Sequence, residues 1–346
     1  MALSPTISMT HSQMMRDEPM RPFLKTVFAA ALCAMATTGI AQADDTLPLK
    51  LDWSLYGMHA PFYAGLSKGY YKDEGIDLTI AEGNSAGNVV KLVASGEDPI
   101  AFIDLGTMTI GASKGMPVKA IYGVHQKNPM VIISRKDKPV ETPKALEDKV
   151  LAMAASESTA QMLPALLAVN QVDAKKINIL NPAVGAKNAL LLQGRTDAVT
   201  GVTYFALPIF QKQGLDVSYF TYADNGVPAL EGGIVANTDW LAKNQDLAKR
   251  FLKATSRAIV DAKANPEATV DEALKIRTDR SRDRDQLVAQ LKLSLDLLTT
   301  ENSKDLAPGA MADADWLAMI DGMRKAGLIK GDRPATDYYT NELIAK

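Results

Sequence analysis

From Leu49 onward the chain alternates short apolar runs with amphipathic segments, and it does so in two successive sets. Leu49–Trp53 reads as a strand. Pro61 opens a helix, because a missing N–H costs nothing in the first helical turn, and Tyr63, Leu66 and Tyr70 follow at helical spacing. Gly75 ends that helix, and Ile76–Ile80 alternates as a half-buried strand does. Helix Asn88–Ala94, strand Ile100–Asp104, helix Thr107–Ser113 and strands Val118–Val124 and Met130–Arg135 complete the first set. The polar, proline-bearing stretch Lys136–Pro143 then predicts a crossing to a second lobe.

The second set comprises strand Val150–Ala154, helix Thr159–Val169, strand Ile177–Leu180, helix Ala186–Leu192, strand Asp197–Gly201, helix Ala206–Gln213 and strand Val217–Tyr222. Gly232–Ala236 is a short strand behind a Gly- and Pro-containing loop and marks the return crossing. After Trp240 the pattern is helical throughout: Gln245–Ala264, Pro266–Arg277, Asp285–Thr299 and Ala312–Ala326. Alternation of this kind places helices on both faces of a sheet. The expectation is an α/β fold of two lobes with a cleft between them. Residues 47–136 form the N-terminal part of lobe 1, 137–230 form lobe 2, and 231–346 return to lobe 1 and add C-terminal helices.

Residues 1–43 stand apart from this pattern. Arg21 and Lys25 precede the apolar run Thr26–Ile40, which ends in Ala41-Gln42-Ala43, a small-x-small cleavage signal. The run is shorter than the roughly 20 residues that span a bilayer, so a secretory signal peptide removed after Ala43 is expected, with the product in the periplasm. The single cysteine, Cys33, leaves with that leader. Disulfides, thiol chemistry and multi-Cys zinc sites are thereby excluded. A net charge of −2 and a pI near 6.0 exclude a nucleic-acid binder, which needs a basic field.

Catalytic motifs are sparse. Gly83-Asn84-Ser85-Ala86-Gly87 matches G-x-S-x-G between a strand and a helix. A hydrolase of that type carries its histidine late in the chain, whereas His59 precedes Ser85 and His125 lies in the first half. The segment reads either as a plain connecting turn or as a turn whose N–H groups receive a ligand acceptor. His59, ahead of the Pro61 helix and near Trp53, reads as a hydrogen-bonding site residue or as a loop residue. The run Arg277–Asp285 (RTDRSRDRD) alternates in sign and reads as a solvated connection between helices.

Leu51–Ile80, LDWSLYGMHAPFYAGLSKGYYKDEGIDLTI, resembles the periplasmic solute-binding proteins for nitrate, taurine or sulfonates and thiamine pyrimidine precursors. The shared pattern is a strand-ending Trp, His-Ala-Pro, an apolar helix, K-G-Y-Y, and E-G-I-D before the second strand. KLVASGEDPIAF with Asp104 closing its strand, ASKGMPVKAI, LLLQGRTDAVTG and GGIVANTDWLAKNQDLAKRFLKA extend the likeness over Leu49–Leu274. Beyond that only helicity is shared. The resemblance implies a type II periplasmic-binding fold and a monomer that delivers a small molecule to an ABC permease and its ATPase. It implies no enzyme activity, no cofactor and no metal. Carried over residue by residue, it implies ligand contacts at Trp53, Tyr56, His59, Asn84, Ser85, Asp104, Ser156, Thr159, Thr203, Tyr204 and Glu231. Trp53, ending a strand, fits the rule that open α/β sheets bind ligands beyond their carboxyl ends.

The family's pyrimidine binders carry Pro soon after the Trp, where Ser54-Leu55-Tyr56-Gly57 stands here, and W-E-P where Thr203-Tyr204-Phe205 stands. Nitrate and sulfonate sites want cationic or donor-rich pockets. The candidates here are aromatic and acidic, which suits a planar nitrogen heterocycle or related aromatic. Alternatives are the same fold binding nitrate, sulfonate or taurine, and a pyrimidine-precursor synthase. Such synthases use a Cys-rich motif for iron, and no cysteine follows the leader.

Overall fold

The computed structural model describes residues 44–183, 185–277 and 283–344. The expected leader and residues 278–282 of the charged run lie outside the described residues. The strands are β1 (Asp45–Leu51), β2 (Ile76–Ala81), β3 (Ile100–Asp104), β4 (Val118–Gly123), β5 (Met130–Arg135), β6 (Val150–Ala152), β7 (Asn178–Leu180), β8 (Ala198–Val202), β9 (Val217–Thr221) and β10 (Gly232–Asn237). They form two five-stranded sheets, ordered β2-β1-β3-β10-β4 and β7-β6-β8-β5-β9.

The two sheets follow one plan. In the first, β1 pairs in parallel with β2 and β3, and β10 is antiparallel to β3 and β4. In the second, β6 pairs in parallel with β7 and β8, and β5 is antiparallel to β8 and β9. The antiparallel strand is in each case the one that has just arrived from the other lobe. This corrects the expected position of the first crossing. It runs through 124–129, ahead of β5, and Met130–Arg135 belongs to lobe 2. The polar stretch Lys136–Pro143 is a connection within that lobe. The true crossing is held at its start by hydrogen bonds: Val124 and His125 N–H both donate to the Gly232 carbonyl, each at 2.8 Å.

Helices cover the sheets. Lobe 1 carries α1 (Ala60–Ser67), α2 (Tyr70–Asp73), α3 (Ala86–Ser95) and α4 (Leu105–Ser113). The helix opened by Pro61 is broken after Ser67 by Gly69, whose φ of +75° is left-handed, a conformation glycine adopts without penalty. Lobe 2 carries α5 (Ser158–Val169), α6 (Lys187–Leu192) and α7 (Thr203–Lys212). The C-terminal region adds α8 (Thr238–Lys243), α9 (Gln245–Ala264), α10 (Pro266–Ile276), α11 (Arg284–Leu295) and α12 (Asp313–Lys325). These do not all return to lobe 1. Trp316, Met319, Ile320 and Met323 of α12 share one buried core with lobe 1 (Val118, Ala120) and with lobe 2 (Met162, Leu166). No helix among the described residues is long and apolar enough to cross a membrane.

Candidate functional site

The carboxyl ends of β1, β3, β6 and β8 are where the chain places its chemistry. Asp52 and Trp53 follow β1, Glu157–Thr159 follow β6 at the start of α5, and Gly201–Phe205 span the end of β8 and the start of α7. Glu231 precedes β10, which runs antiparallel, so it arrives at the same edge, beside Asp104. All of these but Thr203 and Asp104 line one cleft of about 750 Å³, its open mouth included.

The walls are aromatic. Tyr56 stacks on Tyr204 at 5.7 Å and 20°, meets Phe205 edge-on at 5.8 Å, and lies 3.9 Å from the His59 ring. At the mouth, the Trp53 indole lies against Gly185 of the opposite lobe. Burial, reinforced by the Asp52 and Glu231 carboxylates, raises the Tyr56 hydroxyl well above the ordinary tyrosine value. Burial and Glu231 do the same to Tyr204. Both phenols therefore keep their protons at neutral pH and act as donors.

The charges are mostly negative. Asp52 Oδ1 accepts from His59 Nε2 at 2.8 Å, which fixes the proton on that nitrogen. Glu231 is used at both oxygens: Tyr204 Oη donates to one at 2.9 Å and His125 Nδ1 to the other at 2.8 Å. Lys187, the one lysine among the lining residues, is ion-paired with Glu157. Burial pulls its ammonium below the usual lysine value, opposed by that glutamate. Thr159 Oγ1 and Asn188 Oδ1 are buried in the same wall and have no hydrogen-bond partner.

The sequence model of the family described as NMT1/THI5 like matches residues 57–269. The chain belongs to that family. Among relatives of this NMT1/THI5-like chain, the formylaminopyrimidine-binding protein of Halalkalibacterium halodurans is 24% identical over 303 residues, covering 86% of this chain and 90% of that protein. The riboflavin-binding protein RibY of Chloroflexus aurantiacus is 24% identical over 296 residues, covering 82% of each. Among solved structures, the alkanesulfonate-binding protein SsuA from Xanthomonas axonopodis pv. citri, bound to MOPS, superposes with a TM-score of 0.67 at 10% identity, covering 88% of this chain and 100% of that one. The architecture is the periplasmic-binding fold of type II. Those relatives are named as binding proteins, not enzymes.

Of the residues expected from the sequence, Trp53, Tyr56, Ser85, Thr159, Tyr204 and Glu231 line the cleft of this NMT1/THI5-like protein. The other five stand outside its wall, each for a local reason. His59 is fully buried behind Asp52 and orients it. Asp104 is buried as the N-cap of α4, Oδ1 accepting from Thr107 N–H at 2.5 Å. Asn84 is exposed and bonds Asn88, Ser156 gives its carbonyl to Gly87 N–H at 3.2 Å, and Thr203 N–H donates to Pro129. Ser85 caps α3, accepting from Asn88 N–H at 3.4 Å, and no histidine bonds it among the described residues, so the G-x-S-x-G match is a cap. No group of three or more His, Cys, Asp or Glu that could hold a metal occurs among the described residues.

Sequence reasoning missed Asp52, Lys187, Asn188 and Phe205 on the wall. Asp52 was legible in principle, since it is the first residue past a strand at the carboxyl edge. Lys187 and Asn188 open a short helix after an irregular loop, and nothing periodic marks them.

Proposed function

We propose that this chain is the solute-capturing component of an ABC importer and that its cleft takes a small planar nitrogen heterocycle, neutral or cationic. The observation that carries this reading is the charge of the wall. Asp52, Glu157 and Glu231 face a single lysine, and that lysine is already paired. Two like charges about 4 Å apart repel by roughly 4 kcal/mol at an effective dielectric of 20. A ring N–H or exocyclic amine is attracted by a carboxylate. In the proposed pose Trp53 and Tyr56 cover the ring face, the Asp52 carboxylate accepts from its edge, and Thr159 and Asn188 take its substituents. The ligands in the names of the two relatives, a formylaminopyrimidine and riboflavin, both carry flat nitrogen-bearing rings.

The leader pattern supports export, removal of residues 1–43 and residence in the periplasm, where a monomer would hand ligand to a permease served by an ATPase. The synthase alternative needs cysteines for iron, and residues 44–346 contain none.

A second reading, an oxyanion such as nitrate or a sulfonate, draws on the start of α5. No side chain caps that helix, and Ser158 and Thr159 of its first turn line the cleft. A helix N-terminus favours anions by at most about 2 kcal/mol, which is less than the carboxylate repulsion above. Calorimetry on residues 44–346 decides between the two readings. A formylaminopyrimidine, simpler aminopyrimidines or riboflavin should bind, while nitrate, taurine and alkanesulfonates stay silent. Tight nitrate or sulfonate binding with every ring compound silent would overturn the heterocycle assignment.

A further inference from the structure

The helix α11 lies outside both sheets, yet it touches both lobes and the crossing between them. It packs on the Gly57–His59 turn of lobe 1 and on α7 of lobe 2. Gln290, fully buried at its centre, is bonded to each. Its Oε1 accepts from Gly57 N–H at 2.9 Å, and its Nε2 donates to the Phe205 carbonyl at 3.4 Å. Past its end, the Leu297 carbonyl accepts from Gln126 and Lys127 N–H, at 2.7 and 3.2 Å, on the first crossing. Before its start, Asp283 is ion-paired with Lys212 at the end of α7.

Gly57 leaves no slack in this arrangement, since a Cβ there would collide with Leu291 N, the Gln290 Cβ and the Leu287 carbonyl. The residues Gln290 holds adjoin or form the aromatic walls: Tyr56 precedes Gly57, and Phe205 meets the Tyr56 ring edge-on. The two partners demand different chemistry, an acceptor for an N–H and a donor for a carbonyl. A primary amide supplies both from one side chain.

We propose that Gln290 is a positioning residue for ligand capture: it fastens α11 across the cleft and sets the spacing of the Tyr56 and Phe205 walls before ligand arrives. The proposal rests on the reading of this cleft as the ligand site. If α11 were only a piece of core, losing the amide would loosen α11 and lower the melting temperature without moving the walls.

Gln290→Met keeps the volume and removes both bonds. In ligand-free protein, amide exchange at residues 54–58 and 203–207 should quicken about five- to tenfold, the worth of one or two hydrogen bonds. Exchange in β2 should stay as it is, and the radius of gyration should rise. Lys212→Met severs the exposed tie to α7 without touching the core, so it decides the matter if Gln290→Met does not fold. It should give the same changes at 203–207, to a smaller extent. Unchanged wall exchange and scattering in the folded variants, with only a lower melting temperature, would overturn the proposal. Failure of the wild type to bind a formylaminopyrimidine would count against the ligand reading alone, because the exchange measurements need no ligand.

Discussion

Trp53 and Asp52 are adjacent in the chain and complementary in chemistry, one offering a ring face and the other a carboxylate oxygen. Trp53 is half-buried and packs at the rim of the lobe 1 core. If its main contact is a ligand ring, Trp53→Ala loses about 1–3 kcal/mol of binding, with base–aromatic stacking as the nearest analogue. Stability should change little. A packing residue would instead cost about 3–5 kcal/mol of stability. Calorimetry beside a urea melt separates the two. Asp52→Asn keeps the shape but gives up the charge on its hydrogen bonds. Affinity for an aminopyrimidine should fall by on the order of 1–2 kcal/mol, while any residual affinity for an anion should rise. A titration with both ligand types checks the sign. Six of the eleven contact residues carried over from the resemblance line the cleft, and all but Tyr56 share a trait: each is within two residues of a strand end or at a helix start. His59 and Asp104 satisfy that rule too but point into protein, because their polar atoms meet Asp52 and the Thr107 amide first. Sequence position gives the edge of the sheet and does not give the direction of a side chain.

The joint between β3 and α4 turns on Asp104. Burial, followed by the nearby Glu231 charge, lifts its carboxyl to about 7 against the Thr107 hydrogen bonds that favour ionisation. A carboxyl raised in the folded state binds more protons folded than unfolded between pH ~4 and ~7. Its contribution to stability is therefore complete below about pH 4 and is lost as pH rises to about 7. Asn is as good an N-cap as Asp and does not titrate. The stability of wild type relative to Asp104→Asn should accordingly fall between pH 5 and pH 8, as read by urea melts at both values. A difference that grows with pH would refute the assignment. The elements themselves were largely legible: each expected strand of the two sets is present, because apolar alternation bounded by Gly, Pro and polar residues survives into the fold. The first crossing was not, because 124–129 is short and the longer polar, proline-bearing stretch Lys136–Pro143 nearby draws the same reading.

Across the whole molecule, the cleft separates lobes joined by two crossings that are themselves hydrogen-bonded: Glu231 N–H donates to the His125 carbonyl at 3.0 Å, and the Glu231 side chain holds the His125 ring. Closure over a ligand should act about this joint. Small-angle scattering on residues 44–346 should show compaction when an aminopyrimidine is added. The melting temperature should rise too, since a hundredfold excess over the dissociation constant stabilises by about 2.7 kcal/mol. Tight binding with no compaction would mean that the lobes are already closed and that ligand enters through the mouth alone.

The place of β10 has a consequence for the order in which the chain acquires its structure. All five strands of the second sheet come from 130–221, an unbroken segment, whereas the first sheet has a gap between β3 and β4 until residues 232–237 fill it. The lobe that starts the chain is thus finished last, and its central pairing spans more than a hundred positions. Contacts so distant in sequence form slowly. On dilution from denaturant, pulse-labelled amides of β5, β8 and β9 should gain protection before those of β1 and β3, and a chain ending at residue 230 should protect the former and leave the latter open.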